Sequence, residues 1–107
     1  SDDLAVAPIP VPTTEEETVN VKYINSLPYT INQSGYYILN TTCTNLTTTA
    51  ITIDVDNVVL DGNGKVLDGN NTEYTYGVYV NNGKNITIKN LTIREFMCGI
   101  SLDSSSN

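Results

Sequence analysis

From Ala50 to Asn107, apolar and polar residues alternate in short runs, and the runs recur. Ala50-Ile51-Thr52-Ile53, Gly77-Val78-Tyr79-Val80 and Gly99-Ile100-Ser101-Leu102 all read small, apolar, polar, apolar. The second and third copies begin 22 residues apart and the first and second 27 apart, the difference being an insertion over 70–76. A second register runs alongside: Asn57-Val58-Val59-Leu60 matches Asn85-Ile86-Thr87-Ile88, and Leu67 answers Ile93. A period of two is that of a strand with one buried face. The runs are separated by Asn, Asp and Gly, which tolerate left-handed backbone and tight turns. A repeat of this length with several strands and no helical period predicts a β-solenoid, because one turn cannot bury its apolar face alone and must stack on the next. Stacking sets like over like. Ile51, Val78 and Ile100 form one inward column, Ile53, Val80 and Leu102 a second, Val58 with Ile86 a third and Leu60 with Ile88 a fourth. Asn57 above Asn85 is a turn ladder.

Three stretches carry a family likeness: Gly77-Val78-Tyr79-Val80, the run from Asn85 to Ile93, and the run from Val58 to Gly69. They resemble the right-handed parallel β-helix repeats of archaeal surface proteins, which also occur in pectin-lyase-like enzymes and in periplasmic proteins of copper-enzyme maturation. The resemblance covers residues 35–107. It implies an all-β, right-handed parallel β-helix of about three short turns, and that scaffold hosts lyases, hydrolases, adhesins and structural proteins alike.

The chain divides into an extended tail over 1–18 and a β-helix domain over 19–107, with an irregular first turn over 19–49 and the repeats over 50–107. The tail holds Pro8, Pro10 and Pro12, which favour extended backbone. It also has an apolar face of Leu4, Val6, Ile9 and Val11 that can add to a sheet edge or lie along a neighbouring subunit. In the first turn, Val19 to Ile24 alternates like an entry strand, Leu27 to Ile31 is a second run, and Tyr37 and Leu39 begin the inward columns. Beyond Leu102 no capping run is legible. A bare last turn exposes unpaired strand backbone and an apolar cross-section, a template for assembly. Either the helix continues or another molecule covers it. Head-to-tail stacking of copies would give a filament.

Composition narrows the function. The net charge is −7, but Asp2, Asp3, Glu15, Glu16 and Glu17 concentrate it in the tail and leave the body near neutral, which excludes electrostatic recognition of nucleic acid or anionic lipid. No stretch approaches the roughly 20 apolar residues of a membrane helix. Few charges and abundant Asn and Thr suit an extracellular or cell-surface β-protein. Sequons fall at Asn32, Asn40, Asn45, Asn70, Asn85 and Asn90, making these glycosylation candidates. Asn70, in the insertion, is the best placed, and a laddered Asn85 the worst.

Cys43 and Cys98 are the only cysteines and stand open to three fates: two thiols, an internal disulfide, or a bridge between stacked subunits. Two turns of strand spacing separate them by roughly 10 Å, too far for an undistorted internal bridge. Asp54, Asp56, Asp61 and Asp68 offer calcium its preferred oxygen ligands, but their spacing matches no calcium loop and fits turn chemistry instead. With no histidine in the chain, catalysis would rest on paired carboxylates, or on an Asp with Lys65, Lys84, Lys89 or Arg94. Neither makes a convincing constellation. The expected function is therefore structural: an exported protein, its own main partner, assembling through its solenoid ends and tail into a filament, sheath or surface layer. The alternatives are a carbohydrate-binding module using Tyr74, Tyr76 and Tyr79 to stack sugars, or a piece of a β-helix polysaccharide lyase or hydrolase.

Overall fold

A computed structural model describes residues 21–103, and among these there are eleven strands and no helix. The leading coil is β1 (Val21–Ile24) and β2 (Tyr29–Ile31). Three full coils follow: β3 (Gly35–Leu39), β4 (Cys43–Leu46) and β5 (Ile51–Ile53); β6 (Val58–Asp61), β7 (Val66–Gly69) and β8 (Tyr76–Asn81); β9 (Ile86–Lys89), β10 (Thr92–Arg94) and β11 (Cys98–Asp103). Each full coil contributes one strand to each of three parallel sheets. The first sheet stacks β1-β3-β6-β9, the second β4-β7-β10 and the third β2-β5-β8-β11. This is a parallel β-solenoid of about three turns, as the repeat predicts. The tail residues Leu4, Val6, Ile9 and Val11 lie outside the described residues, as do Val19 and Asn20.

The inward columns have the expected register. Ile51 pairs with Val78 and Val78 with Ile100; Ile53 pairs with Val80 and Val80 with Leu102. Val58 pairs with Ile86, Leu60 with Ile88 and Leu67 with Ile93. The columns also reach further back than the repeat suggests. Tyr37 stands above Leu60 as expected, but Ile24 lies above Leu39, and Tyr29 and Ile31 head the third sheet's two rows. The region read as one irregular turn thus holds a two-stranded coil and most of a regular one. Its sequence hides this because β1 and β2 are joined by Asn25 to Pro28 alone, with no second-sheet strand between them.

That short path closes the N-terminal end of the core. Ile24 and Ile31 are buried, Leu27 packs against the core, and the rings of Tyr29 and Tyr37 meet at 6.3 Å. The corners are made by asparagine. Asn57 and Asn85 turn the chain from the third sheet to the first at φ 62° and 60°, and Asn63 and Asn90 turn it from the first to the second at φ 56° and 57°. Left-handed backbone is least costly for Asn among residues bearing a Cβ, because its short amide can bond locally. The ladder forms, with Asn85 Nδ2 donating to Asn57 Oδ1 at 2.8 Å. At Gly69 the next coil comes too close for any side chain: a Cβ there would lie 2.5 Å from the Glu95 carbonyl oxygen and 2.8 Å from the ring of the buried Phe96.

Candidate functional site

Two surfaces stand out from the solenoid wall: the face of the last coil, and the insertion between β7 and β8. Among the described residues, strands β9, β10 and β11 each have a neighbouring strand on one side only, so each sheet ends here in an edge. The interior is also uncovered at this level. Along the row Ile31, Ile53, Val80 and Leu102 the exposure runs 0%, 0%, 2% and 69%. Ile100 is 44% exposed at the end of the neighbouring row, and Ile86, Ile88 and Ile93 are only partly buried. Tyr79 steadies the rim by donating its hydroxyl to Asp103 Oδ2 at 3.0 Å, which holds the phenol pKa above its ordinary value.

The opposite end is not a copy of this one. Among the described residues it presents two strands rather than three, and Lys22 occupies the inward row that continues through Tyr37, Leu60 and Ile88. Lys22 is exposed. A charge on an inward-facing edge position discourages indiscriminate pairing. Sequence reasoning did not single out Lys22, although the signal was there: counting alternate residues back from Ile24 through Val19–Ile24 puts a lysine on the buried side.

The residues considered for chemistry are dispersed or already engaged. Lys89 Nζ sits 5.4 Å above the Tyr36 ring, and Arg94 Nε is 3.4 Å from Asp68 Oδ2 one coil back, so the two cations brace the wall. Asp54 accepts from Asn81 Nδ2 at 3.1 Å and Asp56 from the Lys84 N–H at 2.8 Å. Asp61 accepts from the Asn63 N–H at 2.9 Å and from Asn90 Nδ2 at 3.2 Å. The Asn63 N–H foremost, with Asn90, Lys89 and Tyr36, lowers the Asp61 pKa against the opposing effect of burial. Each carboxylate serves a different contact. Among the described residues no three His, Cys, Asp or Glu side chains gather to hold a metal ion.

Cys43 is in the second sheet, paired with Leu67, and Cys98 in the third, paired with Tyr76. Both thiols are free, Cys98 exposed and Cys43 partly buried. Burial raises the Cys43 pKa, offset in part by its bond to the Asp68 carbonyl. Tyr76 and Tyr79 stack with centroids 5.4 Å apart and 25° between planes, while Tyr74 stands 76% exposed at φ 61°. All six sequon asparagines are exposed, but their amides are not equally free. Asn40 Nδ2 donates to Asn25 Oδ1 at 3.0 Å, and Asn85 and Asn90 donate as described above. No family model, curated protein or solved structure matches this chain.

Proposed function

We propose that the protein is an exported structural β-solenoid that works by being joined end to end, the coil of β9, β10 and β11 being continued by a coil of a second copy. The observation that carries this reading is the jump in exposure at Leu102, at the end of a row otherwise buried. The edges of β9 and β11 would be met by β1 and β2 of the next copy, supplying main-chain hydrogen bonds as in strand addition generally, and the rows of the first and third sheets would continue across the joint. The side-chain economy agrees: the described charged groups mostly brace the wall, and few remain to form a reactive centre. In a head-to-tail joint Lys22 of the next copy falls in the row of Ile88. Its stem would cover the isoleucine while its ammonium leaves sideways, which keeps the joint weak and reversible. A non-closing joint of this kind yields filaments at high concentration. Low charge and abundant Asn and Thr fit a cell-surface setting.

The test is light scattering and electron microscopy of unreduced protein across a wide concentration range, with Leu102→Lys and Lys22→Leu in parallel. Concentration-dependent rods, lost in Leu102→Lys and strengthened in Lys22→Leu, are the expected result. A monodisperse monomer at every concentration overturns the proposal. Exposed Tyr74 beside the stacked Tyr76 and Tyr79 favours a second reading, glycan binding at the insertion. Protection of Tyr74 from iodination by soluble polysaccharides would support it.

A further inference from the structure

We propose that Asn70 is the preferred acceptor of an N-linked glycan, and that the fold withholds Asn32, Asn40, Asn85 and Asn90 from modification. In N-glycosylation the asparagine Nδ2 attacks the anomeric carbon of a sugar carried on a lipid phosphate. The N–C bond forms as the C–O bond to phosphate breaks; the lipid phosphate leaves as an anion, and Nδ2 gives up a proton to the transferase. The nitrogen must therefore be free, and the hydroxyl two residues on must be presented with it, since the motif is read as Asn-x-Ser/Thr.

Among the described residues, Asn70 alone combines an amide nitrogen without a partner with a sequon hydroxyl bonded to its own amide. At Asn40, Asn85 and Asn90 the amide nitrogen is already a donor, to Asn25, Asn57 and Asp61. At Asn32 the sequon hydroxyl is diverted, Ser34 Oγ donating to the Asp56 carbonyl at 2.7 Å. Asn45 lies within β4, at φ 60° and at the irregularity in its pairing with β7. At Asn70 the sequon closes on itself: Thr72 Oγ1 donates to Asn70 Oδ1, which fixes the carbonyl side of the amide and leaves Nδ2 without a partner. The segment is also supported as a unit, by Thr75 Oγ1 donating to the Thr72 carbonyl at 2.6 Å and the Tyr74 N–H meeting Met97 Sδ at 3.2 Å. It lies between β7 and β8.

The experiment treats the intact 107-residue chain with an oligosaccharyltransferase and a lipid-linked sugar donor, then maps occupancy by mass spectrometry of proteolytic peptides. Synthetic peptides spanning each sequon are treated alongside. On the peptides every sequon is expected to react. On the folded chain occupancy at Asn70 should exceed that at Asn40, Asn85 or Asn90 by about tenfold or more, the population ratio set by one hydrogen bond that must first open. Asn57→Ala, checked for native circular dichroism, should raise Asn85 occupancy and leave Asn70 unchanged. An unmodified Asn70 on a folded chain whose Asn70 peptide reacts would overturn the proposal, as would equal occupancy of Asn85 and Asn70. None of these readouts depends on whether copies join end to end.

Discussion

Replacing Ile53 and Leu102 by alanine, one at a time, probes the same inward row at its middle and at its end. Ile53 is 0% exposed and Leu102 69% exposed. Full burial of such a side chain contributes about 1.5–3 kcal/mol, and the cavity left behind raises the cost of Ile53→Ala to about 2–5 kcal/mol. Leu102 retains under a third of its burial, so its truncation costs about 0.5–1 kcal/mol by the same scaling. In a domain of this size each kcal/mol lowers Tm by about 4–8 °C, so Ile53→Ala falls by at least about 8 °C and Leu102→Ala by a few degrees. Urea and thermal unfolding followed by far-UV circular dichroism on dilute protein measures both, an unchanged m-value showing that the unfolding unit is the same. Equal losses would refute the reasoning, because the last coil would then have to be covered within the monomer. If copies join, the cost of Leu102→Ala should grow with protein concentration while that of Ile53→Ala stays fixed.

Three further outcomes are expected. Asn57→Ala loses both the ladder bond and a residue suited to left-handed backbone, at about 1–2 kcal/mol, and Asn57→Gly recovers the backbone part of that loss in urea titrations. Asp61 has a folded-state pKa below its unfolded value of about 3.9, so its stabilisation is present above that pH and is lost as pH falls through the folded pKa; Asp61→Asn should flatten the acid limb of a Tm-versus-pH curve. Under native conditions a maleimide should label exposed Cys98 well before Cys43, whose thiol is partly buried and has a raised pKa, and intact-mass spectrometry after short exposures reports the order.

Most of the wall was legible because a solenoid writes its contacts into its repeat. Once Gly77-Val78-Tyr79-Val80 is aligned with Ala50-Ile51-Thr52-Ile53, the pairing of Ile51 with Val78 and of Asn57 with Asn85 follows from parity alone. The leading coil was harder. It omits a strand, so its spacing differs from the repeat, and the place of Tyr29 above Ile51 emerges only when the backbone is closed. The roles of Lys89, Arg94 and the aspartates were hidden for another reason. A carboxylate in a turn and one in a binding site share the same sequence signal, and only partners such as Asn63 for Asp61 and Arg94 for Asp68 distinguish them. The ladder made the state of Asn85 legible, but those of Asn40 and Asn90 were not, since each depends on a bond to a residue a coil away.

The closed N-terminal coil also bears on how the chain acquires its shape. Each coil touches only its immediate neighbours, and the earliest-synthesised part of the body is the part whose core is already sealed by Leu27, Tyr29 and Tyr37. Such a chain can wind as it emerges, every finished coil serving as the template for the next, with no need to wait for a distant segment. Its growth would then have a direction, from the leading coil onward.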